Sequence, residues 1–429
     1  MTSGVKAGVL LAVLPVLTLA CTTRRLSLEL KGHDGHEGGF RGDGGRGDGP
    51  GRHACDPAAD AGPGDENAPA AFAGNDTPGA PRLVARGSSA LGAPARALAI
   101  ADLDGDGRPD VVTTGVGTSG ASTLSVLLNA GGGAFAPRAD YSINGGATSL
   151  AIGDLNGDGR PDVVAGGEGG FGVEVLLNAG AGVLRGFALC ACGGQSPAVA
   201  LGDLDGDGRT DIVAGNRRET GQETSGDLVV VLNGGDDVFK NEPVHYGTGV
   251  DPRSVAVGDV NGDGRPDVVV GGVCGASVLL NAGDGTLAEP VRYETATGTV
   301  ALQDLDGDGD LDIVNTGNFG WTVDVLVNAG GGAFGVAHAN PVAHPMQTAV
   351  GDVNRDGRAD LVVAEQSSDY GLAILLNEDG ARFAHLFQYA PDTMGGYRAL
   401  ALADVDGDGS AEIVAAGDAG LSVFTIAAP

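Results

Sequence analysis

Residues 97–112 read ALAIADLDGDGRPDVV: a short apolar run, an acidic turn, and a second apolar run. The turn places carboxylates at its first, third, fifth and ninth positions, Asp102, Asp104, Asp106 and Asp110. Gly105 and Gly107 stand where a tight turn needs left-handed backbone. The block then recurs along the chain. The second copy has Asp154, Asn156, Asp158 and Asp162, and the third has Asp203, Asp205, Asp207 and Asp211. The fourth has Asp259, Asn261, Asp263 and Asp267, and the fifth has Asp304, Asp306, Asp308 and Asp312. In the sixth, Asp352, Asn354, Asp356 and Asp360 surround Arg355, which replaces the usual glycine. The seventh has Asp404, Asp406, Asp408 and Glu412. First positions are 52, 49, 56, 45, 48 and 52 residues apart.

Each of the first six copies carries a second signature downstream, such as VLLNAGGGAF or ILLNEDGARF. It reads as a strand, a turn with Asn and Gly, and another strand. Each period therefore holds four short strands: A before the acidic loop, B after it, C at the VLLN segment, and D beyond the turn. Four strands in about 50 residues is the size of a propeller blade, and the fold expected is all-β, a seven-bladed β-propeller over residues 81–429. The seventh copy stops after strand C. Residues 79–101 look like the D strand and following A strand of other copies, so Arg82 to Ser88 is expected to pair as the outer strand of the last blade and remove an open edge.

These copies resemble the FG-GAP/VCBS repeats of integrin α-subunit propellers and of many exported bacterial proteins. The resemblance implies Ca²⁺ in the acidic loops, up to seven ions, one per blade. The residue chemistry agrees, because Ca²⁺ takes six to eight oxygens and such a loop offers four side chains and a carbonyl. The loop lacks the Glu that closes an EF-hand, and strands replace its helices. The sixth and seventh sites, with Arg355 nearby and Glu412 in place of Asp, are expected to be the weakest.

Net charge is −31, which repels nucleic acid and anionic lipid and excludes a nucleic-acid partner. Acidity of this degree usually means disorder, but here the acids recur at fixed offsets between apolar strands. Residues 1–21 read as a signal peptide: Lys6, then an apolar run from Ala7 to Ala20, too short to span a bilayer comfortably. Leu17-Thr18-Leu19-Ala20-Cys21 resembles a bacterial lipoprotein signal, which implies lipidation of Cys21, although Thr18 stands where Leu is usual. Residues 22–80 form a Gly/Asp/Pro-rich linker with little to bury. The chain is expected to be exported, as an envelope lipoprotein or a secreted protein, monomeric, and in contact with a membrane only through that lipid. Cys190 and Cys192 are candidates for a disulfide in an oxidising compartment.

No catalytic constellation stands out. Gly115 to Gly120 matches G-x-G-x-x-G, but a strand follows it where a dinucleotide site needs a helix. Strand alternation puts the acidic loops on one face and the variable B–C and D–A loops on the other. Phe319, Trp321, Tyr370 and Tyr397 come from variable loops of neighbouring blades, and an aromatic cluster there would stack a sugar or a peptide side chain. The reading is a non-catalytic binding or scaffold module for a protein or glycan. A secreted carbohydrate-active lyase or hydrolase on the same scaffold is the alternative.

Overall fold

A computed structural model describes residues 82–427 apart from 118–119, 168–171, 190–194, 218–225, 236–242, 274, 318–320, 336–337, 367–370 and 391–395. The signal-like segment with Cys21, the linker, Cys190, Cys192, Phe319 and Tyr370 lie outside the described residues.

The described chain forms seven four-stranded antiparallel sheets. In blade one the order is Ala95–Ala101, Asp110–Val116, Ser122–Leu127 and Ala139–Ile143, which is A-B-C-D. The next five blades repeat it, with strands A beginning at Ala147, Gln195, Asp251, Gly298 and Pro345. The last blade is assembled from both ends of the described chain. Tyr397–Ala403, Glu412–Gly417 and Leu421–Ala427 supply A, B and C, and Arg82–Ser89 supplies D, paired antiparallel from Arg82↔Ala427 to Ser89↔Leu421. The ring is closed as the sequence led us to expect.

Burial explains why the pattern differs between strands. Strand B is covered on both faces: DVVTTG, DVVAGG and DLVVAE are buried at every position. A strand buried on both sides has no need of polar alternation, so it reads as a continuous small apolar run. Strand A is buried at its start and half-buried towards its end, where it lines the central channel. Seven buried clusters hold the ring together, each bridging two neighbouring blades. Val111 and Leu98 of blade one, for example, pack with Ala399, Val414 and Val423 of blade seven. Leu83 of the closing strand joins the cluster between blades six and seven. Each fully buried Val or Leu is worth about 1.5–3 kcal/mol, so the interfaces carry most of the stability.

Candidate metal centres

Each acidic loop is first an ordered turn. In blade one the Asp102 carboxylate accepts three backbone N–H groups, from Gly105 (2.8 Å) and Asp106 (3.1 Å) on one oxygen and Gly107 (2.8 Å) on the other. Asp104 Oδ1 accepts the Asp106 N–H and Asp106 Oδ1 accepts the Arg108 N–H. Gly105 and Gly107 sit at φ 81° and 85°. Where the sixth copy has Arg355, that residue is itself forced to φ 64°. In the loops with Asn at the third position, the amide oxygen replaces the carboxylate as acceptor: Asn156 Oδ1 takes the Asp158 N–H at 2.9 Å.

The ninth position is unlike the others. Asp110 is wholly buried, and each of its oxygens accepts a backbone N–H, from Leu103 (2.8 Å) and Asn129 (2.7 Å). Burial, followed by the nearby loop carboxylates, raises the pKa of these residues against the lowering effect of the N–H donors; Asp211, Asp312 and Asp360 are pushed up to about 6. These are carboxylates placed where a cation would relieve them.

Three carboxylates converge in each of the odd-numbered blades. Oxygens of Asp102, Asp104 and Asp110 lie within 4.8 Å of one another, as do those of Asp203, Asp205 and Asp211, those of Asp304, Asp306 and Asp308, and those of Asp404, Asp406 and Glu412. Such hard-oxygen sets suit a hard divalent ion. The even-numbered loops have one carboxylate fewer, at Asn156, Asn261 and Asn354. In five loops the residue at position seven is an arginine, and Arg108, Arg160, Arg209, Arg265 and Arg358 each pair with the carboxylate at position five. The fifth loop has Asp310 there instead, and burial with the Asp308 and Asp304 charges raises the Asp306 pKa. The fifth loop is therefore the most electronegative.

The sequence pattern marks the strand-C asparagine as a turn residue, and the structure gives it a larger role. Asn129 donates from Nδ2 to Val405 O in the preceding blade (2.8 Å) and to Pro109 O in its own (3.1 Å), while its N–H holds Asp110. Asn178, Asn233, Asn281, Asn328 and Asn377 repeat this, reaching Leu103, Leu155, Leu204, Val260 and Leu305. Each latches its blade to the acidic loop of the blade before. A signal is present in the sequence: the copy that lacks this Asn is also the one with Glu at position nine.

Of the four aromatics expected on the variable face, Phe319 and Tyr370 lie outside the described residues, and Tyr397 and Trp321 are described. Tyr397 does not reach the variable face. It is 1% exposed, packed edge-on against Phe424 in the interface between blades six and seven, with its hydroxyl on Ser422 Oγ at 3.3 Å. Trp321 is half-buried with φ 54°, its ring 4.4 Å from that of His344. Left-handed backbone costs a tryptophan about 1–2 kcal/mol, and its carbonyl is held by the Val342 N–H.

Comparison with known proteins agrees with this geometry. An FG-GAP-like repeat model matches residues 102–165, 154–214, 203–270, 304–363 and 352–415. A search of curated proteins finds no match. Among solved structures, an Agrocybe aegerita lectin described by its recognition of non-reducing terminal N-acetylglucosamine is 23% identical, covering 69% of this chain and 80% of its own, with a TM-score of 0.49. BBS1N in complex with ARL6DN is 14% identical, covering 80% and 96%, with a TM-score of 0.53. A catalytically inactive virginiamycin B lyase from Staphylococcus aureus, with quinupristin, is 12% identical, covering 81% and 100%, with a TM-score of 0.52. For the last two, with TM-scores above 0.5, the likeness is one of fold.

Proposed function

Because this chain belongs to the FG-GAP-like repeat family, we propose that it is a calcium-stabilised propeller serving as a non-catalytic binding or scaffold module for a protein or glycan at the cell envelope. The observation that carries this is the convergence of carboxylate oxygens in the acidic loops of blades one, three, five and seven. Asp102, Asp104, Asp106 and Asp110, and their counterparts, would hold the ion. Bound Ca²⁺ supplies charge neutralisation and fixes the loop, and no chemistry on a substrate is asked of it. Export is supported by the apolar run before Cys21, and a monomer by the last blade's being completed to four strands within the chain itself.

The test is thermal unfolding of the protein in EDTA and in Ca²⁺. If each site binds near ~0.1 mM, then ~1 mM Ca²⁺ adds about 1.4 kcal/mol per site. The melt is expected to rise steeply with Ca²⁺ concentration, and superimposable melts in EDTA and Ca²⁺ would exclude a structural role for the ion. Binding to a glycan array, lost in Trp321→Ala with an unchanged melt, would assign the variable face to a glycan. Turnover of a bound glycan would overturn the non-catalytic reading.

A further inference from the structure

The channel mouth on the face opposite the acidic loops is basic, in a protein whose net charge is −31. A cavity of about 510 Å³ opens there, and Arg96, Arg217, Arg253 and Arg398 all line it, with hydroxyl and amide groups such as those of Thr148 and Gln347 between them. Its lining includes neither Asp nor Glu among the described residues. The volume suits a small ligand.

Three of the four arginines are placed by the same backbone device. Ala95 pairs with Gly115 and Ala97 with Thr114, so Arg96 is the extra residue of a β-bulge. Arg253 is the extra residue between Pro252↔Gly272 and Ser254↔Gly271. Arg398 is the extra residue between Tyr397↔Gly417 and Ala399↔Ala416. A bulge bends the strand and re-aims one side chain, here at the start of strand A. Opposite each bulge stands a glycine that the approach requires. A Cβ on Gly115 would lie 2.7 Å from Pro94 O, one on Gly272 2.4 Å from Asp251 O, and one on Gly417 2.3 Å from Gly396 O.

The arginines fall into two groups. Arg398 and Arg96 belong to the adjoining blades seven and one. Arg217 and Arg253 belong to the adjoining blades three and four, across the channel. Two of the four are oriented by rim carboxylates: Arg217 Nε on Asp251 Oδ2 at 3.1 Å, and Arg398 Nε and Nη2 on Asp418 at 3.0 and 3.3 Å. Burial, and next the charge of Arg217, pull the Arg253 pKa down, against the influence of Asp251. Arg217 and Arg253 thus repel one another in a half-buried cavity, and an anion between them would relieve that repulsion.

We infer that this cavity binds a small anion carrying at least two acidic groups, with the arginines of blades seven and one on one side and those of blades three and four on the other. The inference rests on the binding-module reading and adds a ligand class to it. Guanidinium forks suit carboxylate, sulfate and phosphate oxygens alike, and a free anion of this size fits the closed wall of the channel.

The probe is propane-1,2,3-tricarboxylate, titrated by calorimetry into the full chain at low salt with Ca²⁺ matched in cell and syringe, and glycerol as the uncharged control. Saturable binding of one equivalent is expected, with none for glycerol. Arg96→Gln and Arg253→Gln should each weaken it about tenfold, the size of one lost charge-assisted hydrogen bond. Arg96 is exposed, so its replacement leaves folding intact, and Arg96→Lys should restore part of the affinity. An absence of saturable binding, or affinity indifferent to both Gln variants, overturns the inference. A macromolecular partner bound by a protein that takes up no tricarboxylate would leave the module reading standing while the anion site falls. Tricarboxylate binding without any macromolecular partner would do the reverse.

Discussion

Blade seven and the other six blades solve the same problem differently. In blades one to six, a buried Asp at the end of the acidic loop holds the strand-C Asn, and that Asn reaches the loop of the blade before. In blade seven, Ile426 fills the place of the Asn and Glu412 the place of the Asp. The longer side chain still takes the N–H of Val405, at 2.9 Å, but its other oxygen is buried with no hydrogen-bond partner among the described residues. No such amide reaches the carbonyl of Val353 at the joint between blades six and seven, among the described residues. That joint is spanned instead by Arg355, whose guanidinium contacts Ser410, and by Leu83 from the closing strand. The Asp and the Asn thus form one device that is kept or lost as a pair, and the last joint relies on the closing strand in its place.

The largest test removes that replacement. Deleting residues 82–89 strips a seven-pair ladder and the burial of Leu83, and exposes strand C of blade seven as an edge. A loss of about 3–5 kcal/mol is expected from one buried apolar side chain and its ladder, read as a clear drop in melting temperature. A melt indistinguishable from wild type would show that the ring does not depend on closure at that joint.

The second test breaks a latch where one exists. Asn233→Ala in blade three removes the donor to Leu155 O (2.7 Å) and to Thr210 O (3.1 Å), both from a side chain 2% exposed. Leaving buried carbonyls unpaired costs about 1–3 kcal/mol. Ser422→Ala in blade seven, which loses only a 3.3 Å contact with a tyrosine hydroxyl, should cost less than half of that. Denaturant unfolding of the two variants compares them directly, and equal losses would remove the distinction between the joints.

Much of this architecture is legible in the amino-acid sequence alone. Periodicity sets the seven blades, and the truncated seventh copy points to Arg82–Ser88 as the closing strand. The acidic loops announce themselves because the turn demands Gly and Asp at fixed offsets. Other features depend on what sequence spacing does not encode. The arginine bulges arise from a register shift of one residue, which alters no local composition. Tyr397 looks like a loop aromatic because a glycine-rich stretch precedes it, yet it opens strand A and turns into the interface between blades. Asn129 and its counterparts satisfy a turn preference and so conceal a contact with the blade before.

The smallest effect tests whether the Asp and Asn are one device. Ile426→Asn alone buries an amide in place of an apolar side chain that is 8% exposed, and should cost about 2 kcal/mol. Glu412→Asp alone shortens the carboxylate with no strand-C Asn beside it, and should cost about 1 kcal/mol. Together they rebuild the arrangement of the other blades: the shortened carboxylate can accept the N–H of position 426, and the introduced amide can donate towards Val353. The double variant should therefore be more stable than the sum of the singles by about 1 kcal/mol, a favourable coupling measurable in a double-mutant cycle. Strict additivity would mean that the two positions are independent and that their joint absence from blade seven is coincidence.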